Sequence, residues 1–216
     1  MPIIDYFSKD PNKRARFIFD LIAPLYGRIE KHQAEKYART IDVLDREIDI
    51  KGKKVLDVGT GTGAWADMFV RTGAKEVHAV DLSPKMLIEA RKKHPEINFN
   101  QGDAENLSGI ADKSFDIVTA SFVLHGVKED RRQKILSEMK RISRKHVVIN
   151  DFSGRTDIAV LILETLERSD YKKFKANFCN ELKSMFPGNP FHFGKYFFSS
   201  VLFHTVQNKR GSHYVK

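Results

Sequence analysis

The chain has one cysteine and one tryptophan in 216 residues. A single thiol, Cys179, excludes an internal disulfide and is expected of a protein made in a reducing compartment. It reads as a packed helix residue, because nothing nearby in sequence promises the depressed pKa that a catalytic thiol needs. No apolar run approaches the roughly 20 residues of a membrane span. Met1-Pro2-Ile3-Ile4 does not read as a signal peptide. Internal repeats and low-complexity stretches are missing as well. What is left is the composition of a soluble, cytoplasmic globular protein, 41% hydrophobic and 30% charged. At this length the expectation is one compact domain with a substantial core.

The charge is unevenly placed. The formal net charge is +9. The densest basic run is Arg131, Arg132, Lys134, Lys140, Arg141, Arg144 and Lys145, opposed only by Glu138. Ile135, Leu136, Met139 and Ile142 stand at helical spacing inside it. The run therefore has two readings: the solvated face of an outer helix, or a surface for RNA or anionic lipid.

What the chain does contain is concentrated in Val55-Leu56-Asp57-Val58-Gly59-Thr60-Gly61-Thr62-Gly63. The apolar start reads as a buried parallel strand. The glycines let the chain turn tightly and bring backbone N–H groups close to a ligand. Asp81 ends a second apolar run, Val77-His78-Ala79-Val80, where a carboxylate is placed to accept hydrogen bonds from ribose hydroxyls. A nucleoside-containing cofactor at the ends of two neighbouring strands is implied. The stretch Gly59 to Ala64 also satisfies the dinucleotide pattern G-x-G-x-x-G/A. Against a nicotinamide cofactor stands Asp57, whose carboxylate would repel a pyrophosphate but suits a cationic ammonium or sulfonium.

Around this motif, strands and helices alternate in the manner of a doubly wound sheet. Asp10 and Pro11 open a helix that Pro24 is expected to end near Ala23. A second helix is expected over about Arg28 to Glu47. Strands are expected at Lys54–Val58, Glu76–Asp81, Asn98–Gln101, Phe115–Ser121 and His146–Asn150. Helices are expected over about Ala64–Thr72, Ser83–His94, Glu129–Ser143, Thr156–Arg168 and Asp170–Phe186. The aromatic, β-branched tail from Phe191 to Val206 should supply the final antiparallel strands.

Two further segments, Gly102-Asp103-Ala104-Glu105-Asn106-Leu107 and Phe115 through His125, complete a pattern with the glycine loop and the Asp81-Leu82-Ser83-Pro84-Lys85-Met86-Leu87 stretch. In order and spacing it resembles the class I S-adenosylmethionine-dependent methyltransferases. The leader Phe19-Asp20-Leu21-Ile22-Ala23-Pro24-Leu25-Tyr26 is similar to the F-D-x-I-A-x-x-Y-D leader of the quinone-biosynthesis type, with Gly27 in place of its final Asp. The resemblance implies an α/β fold: a doubly wound, mostly parallel, seven-stranded Rossmann-like sheet with an N-terminal helical leader. Residues 1–50 would be leader and lid, 51–151 the cofactor-binding core, and 152–216 cap helices and C-terminal strands, all in one domain.

The same resemblance assigns roles around S-adenosyl-L-methionine and its product S-adenosyl-L-homocysteine. Asp57, Gly59, Thr60, Gly61 and Gly63 would lie against the amino-acid part. Asp81 would hold the ribose, and Leu82 and Met86 would pack on the adenine. Asp103 would accept from the adenine amino group and the Ala104 N–H would donate to the ring. Ala120 and Ser121 would sit under the methionine portion, and Tyr26 would close the site. Bland readings stand beside these: Gly63 for helix–strand packing, Met86 as core, Asp103 as a turn cap.

A hydroxyl or phenol acceptor needs a base. His125, after strand four, is the candidate, because its reference pKa is near neutral. Asn150 and Asp151 point to the same rim. The apolar helix Thr156–Arg168 could lid an apolar acceptor. The expected partner is a small or lipid-like acceptor, a quinone or phenol among the candidates, with peripheral membrane contact left open. Nucleic acid is the less favoured partner, since the [DNS]-P-P-[YF] motif of base-methylating enzymes is replaced by Ala120-Ser121-Phe122-Val123. An RNA methyltransferase and a non-catalytic cofactor-binding subunit are the alternative readings. No metal is called for.

Overall fold

The structure, a computed structural model, describes residues 3–152, 170–186, 191–196 and 199–205. Strand β1 (Lys54–Val58) lies in the middle of a sheet, with Val55, Leu56 and Val58 buried, as a strand covered on both faces requires. β2 (Glu76–Asp81) and β4 (Phe115–Ser121) pair with it in parallel, one on each side. β3 (Asn98–Gln101) adds to β2 and β5 (Ser143–Phe152) adds to β4, also in parallel. β7 (Ser199–Thr205) runs antiparallel to β5 and pairs with β6 (Phe191–Tyr196), giving the order β3-β2-β1-β4-β5-β7-β6. The chain walks outward from β1 to β3, then returns to the other side at β4. That reversal leaves a crevice beyond the carboxyl ends of β1 and β4, where α/β sheets bind their ligands.

Helices cover both faces. α2 (Ala64–Arg71) and α3 (Pro84–Lys93) belong to a cluster with Ile41, Leu44, Trp65, Phe69, Leu87 and Phe99. α4 (Glu129–Ile142) and α5 (Tyr171–Met185) bury Leu136, Met139, Phe174 and Phe178 against the opposite face. The expected helix Thr156–Arg168 lies outside the described residues.

The leader differs from its sequence reading. Pro24 does not end a helix: α1 runs unbroken from Pro11 to Ile48, with Asp10 as its cap and Pro24 inside. Both flanks are held in place. Asp20 and Ala23 are buried on one side of the proline, and Ile41, Leu44 and Ile48 on the other. Burial worth about 1.5–3 kcal/mol for each large aliphatic outweighs the roughly 3 kcal/mol that an interior proline costs.

The basic run is solvated in part, with Lys134, Arg144 and Lys145 exposed, and in part engaged within the fold. Arg132 is fully buried and pairs with Glu181 at 2.7 Å. Arg131 pairs with Glu105, Arg141 with Glu138 and Asp112, and Arg144 with Asp116. Lys140 donates to the Met185 carbonyl and lies over the Phe186 ring. Glu138 is the one partner that lies within the run itself; sequence reading missed the others because they come from other elements. Cys179, expected to be packed, is exposed on α5. Among the described residues no helix is long and apolar enough to cross a membrane.

Candidate active site

The loop after β1 is built by three glycines with positive φ, each for its own reason. Gly59 (φ +72) donates to the Val80 carbonyl at 2.8 Å, and a Cβ there would stand 2.5 Å from a Val123 methyl. Gly63 (φ +88) starts α2, and a Cβ would meet Phe99 at 3.0 Å and His94 at 3.1 Å. The structure thus places Gly63 in helix–strand packing. At Gly61 a Cβ would meet nothing within 4 Å. Its N–H donates to Asp81 Oδ2 at 2.7 Å, tying the loop to the end of β2.

Three carboxylates converge here. Asp57 is buried, yet neither of its oxygens has a hydrogen-bond partner. Burial, with a smaller contribution from the negative charge of Asp81, pushes its pKa up to about 7. The Thr60 hydroxyl, itself buried and out of good hydrogen-bond geometry, offsets only part of this. Asp81 accepts from Ser83 N–H at 2.8 Å as well as from Gly61. Burial raises its pKa too, against the lowering by these backbone donors, and Asp20 adds to the rise. Unpaired buried carboxylates are costly, so a pocket of this kind favours a ligand that brings positive charge.

Asp20 is the functional-site neighbour that sequence reading missed, although it stood in the leader motif. It accepts from the Ser83 hydroxyl at 2.5 Å and faces the Lys85 N–H at 3.3 Å, so the leader seats on the start of α3. Ser83 in turn caps Met86 N–H, and Met86 is fully buried. Leu82 is half-buried beside it. Further along, Asp103 caps its own turn by accepting from Glu105 N–H at 3.0 Å. Its other oxygen accepts from the Asn12 side chain at 2.6 Å, and Arg131 reaches both Asn12 and Glu105. Ala104 packs partly buried beneath. Asn12 gave no sequence signal, because its partner is far along the chain. Tyr26 falls within α1, and its side chain lies outside the described residues.

At the end of β4, Ala120 is core and Ser121 is half-buried, accepting from the Asn150 side chain at 3.0 Å. The Ser121 hydroxyl faces the Tyr37 hydroxyl at 3.3 Å. Phe122 follows with φ +53, an uncommon conformation for a bulky residue, and its N–H donates to the Asn150 carbonyl. His125 is buried in the short 3₁₀ turn Leu124–Gly126, with Nδ1 2.7 Å from Asp151 Oδ1. The structure therefore gathers Asp57, Gly59, Thr60, Gly61 and Asp81 at the β1–β2 edge. Ser121 and His125 stand at the adjoining β4–β5 edge.

These features fit S-adenosylmethionine. Asp57 offers an orphaned buried carboxylate to a cationic ammonium, the open side of Gly61 leaves room, and Asp81 can still accept from ribose hydroxyls.

Known proteins bear on the same span. Residues 55–146 match the family described as Methyltransferase domain. The chain is 37% identical over 153 residues to a demethylmenaquinone methyltransferase of Paenarthrobacter aurescens, covering 68% of this chain and 57% of that one. It is 36% identical over 155 residues to the same-named protein of Renibacterium salmoninarum, covering 69% and 62%. The chain thus spans less than two thirds of these relatives' length. In fold it is similar to magnesium protoporphyrin IX methyltransferase of Synechocystis with bound cofactor. There the TM-score is 0.67 at 15% identity, over 92% of this chain and 98% of that one. With the glycine loop and strand-end carboxylates in place, residues 55–146 carry the fold and the sequence pattern that the Methyltransferase domain family describes.

Proposed function

We propose that the protein transfers a methyl group from S-adenosylmethionine to a small acceptor of quinone or phenol type. The carrying observation is Asp57, buried and without a hydrogen-bond partner beside the open side of Gly61. When bound, the cofactor supplies an electrophilic methyl group on a sulfonium. Asp57 would hold the cationic end, the Gly59–Gly63 loop the amino-acid part, and Asp81 the ribose. α1 would cover the site as a leader, and the full seven-stranded sheet would carry it. His125 would take the acceptor's proton. Much of the rate would come from alignment of acceptor and methyl in a site closed to water. The quinone-type acceptor is supported by the two demethylmenaquinone methyltransferase relatives. Against an RNA acceptor stands the pairing of Arg131, Arg132, Arg141 and Arg144 with carboxylates of this chain, with Arg132 fully buried.

Calorimetric titration with S-adenosylhomocysteine, run beside NAD, tests the cofactor. Micromolar binding of the first and none of the second is expected. The reverse result would turn the site into that of a dehydrogenase.

A further inference from the structure

The rim of β4 and β5 holds a second device beyond the cofactor residues. Asp151 is buried and used completely. Oδ2 accepts from Leu124 N–H at 3.0 Å and His125 N–H at 3.3 Å, and Oδ1 accepts from Phe152 N–H at 2.8 Å. Oδ1 also meets His125 Nδ1 at 2.7 Å. A carboxylate in this position fixes the proton on Nδ1 and makes Nε2 the basic nitrogen of the ring. Aromatic rings surround the imidazole. Phe152 lies 4.7 Å away edge-on, Tyr171 6.1 Å, Phe174 6.3 Å and Phe122 6.5 Å, centre to centre. Phe122, Phe152 and Tyr171 continue as one wall, at 4.8 Å and 5.5 Å. Phe122 joins that wall through its positive φ, and strain of this kind concentrates at functional sites.

We propose that Asp151 is the positioning residue for a His125 base, and that Phe122, Phe152 and Tyr171 wall the site for a flat hydroxylated aromatic ring. This rests on the methyl-transfer reading above. The acceptor O–H bond breaks and its proton goes to His125 Nε2. The electron pair left on oxygen forms the new oxygen–methyl bond, while the pair of the breaking carbon–sulfur bond stays with sulfur. One methyl moves and one proton is released to water, so no oxidant or reductant is needed. Among the described residues, titratable groups packed against His125 include Asp151 from β5 and Tyr171 from α5, whose ring centre is 6.1 Å away. Behind Phe174, Arg132 is paired with Glu181 and Asp170.

The test uses the full chain and reduced naphthoquinone under anaerobic conditions. Wild type should show an acid limb in kcat/KM, because protonated His125 cannot accept a proton. His125→Gln should lose that limb and about 10²–10⁴ in rate. Asp151→Asn should lose at least about tenfold and move the limb to lower pH, since the protonated ring loses its carboxylate. Asp151→Glu should restore part of both. Phe152→Ala should raise KM about two- to tenfold with kcat little changed. All variants should bind S-adenosylhomocysteine as wild type does. Full turnover in His125→Gln, or no turnover of this acceptor by cofactor-saturated wild type, overturns the proposal. So does an Asp151→Asn profile identical to wild type. Should Asp151→Asn fail to fold, nitrogen NMR of His125 in wild type decides: protonated Nδ1 with titrating Nε2 supports the proposal, and the opposite tautomer overturns it. Loss of S-adenosylhomocysteine binding by wild type would sink the methyl-transfer reading itself.

Discussion

On the β1–β3 side of the sheet the site is made of backbone and carboxylates: the Gly59–Gly63 loop, Asp57, Asp81 and Asp20 behind it. On the β4–β5 side it is made of rings: Phe122, His125, Phe152 and Tyr171, with a single carboxylate locked beneath them. The first side leaves a charge unanswered, and the second answers every contact of its carboxylate. An unanswered charge selects a cationic ligand and costs stability until that ligand arrives. A fully answered one orients a neighbour. The two halves should therefore respond differently to pH, to steric change and to truncation.

The largest difference concerns pH. The Asp57 pKa rises from 3.8 in its ordinary state to about 7 in the fold. The folded state then holds a proton that the unfolded chain releases, so this residue's stability contribution is present below about pH 4 and lost as pH rises to about 7. The loss amounts to as much as about 4 kcal/mol. His146, on β5, works in the opposite sense: burial, then Lys145 and Lys53, lower its pKa from 6.5 to about 4. Its contribution is present above about pH 6.5 and is lost as pH falls towards 4. Denaturant unfolding of Asp57→Asn against wild type across this range isolates the first effect. Parallel pH profiles for the two proteins would contradict the Asp57 assignment.

Gly59→Ala comes next, with an expected loss of about 2–4 kcal/mol from the positive φ and the collision with Val123. The same change at Gly61, where a Cβ meets nothing, should cost about 1 kcal/mol in thermal unfolding while weakening S-adenosylhomocysteine more than it weakens the fold. Equal stability losses at the two glycines would erase the difference between packed and open sides of the loop. Asp81→Ala should weaken cofactor binding by about 1.5–3 kcal/mol through lost charged hydrogen bonds, measured by calorimetry. Smallest is Asn12→Ala, which removes the side-chain contacts to Asp103 and Arg131 and should cost about 0.5–1.5 kcal/mol of stability.

The β1–β3 half was legible in the sequence because its signals are local. A strand, a glycine turn and the next strand's terminal carboxylate follow one another, and the Gly61–Asp81 bond closes over a short interval. β1, β2, β4 and β5 were legible for the same reason, each holding a short apolar run, whereas β3 has one buried ring, Phe99, between polar residues. What escaped were partnerships across the chain. Asn12 meets Asp103 and Asp20 meets Ser83. Arg132 disappears into the interior because Glu181 arrives from α5, with Asp170 and the Val127 carbonyl beside it. Pro24 read as a stop because propensity is local, while the packing that carries α1 past it comes from α2 and α3.

That unbroken α1 has a mechanical consequence. At about 1.5 Å per residue, its 38 residues span on the order of 57 Å. It is clamped near its start by Asn12 and Asp20, which hold Asp103 and Ser83, and near its end by Tyr37, whose ring packs against Trp65 and Phe122. A beam clamped at two stations cannot swing aside like a door. To move, it must release a clamp or bend, and the weakest point for bending is Pro24, where one rung of the helical ladder is missing.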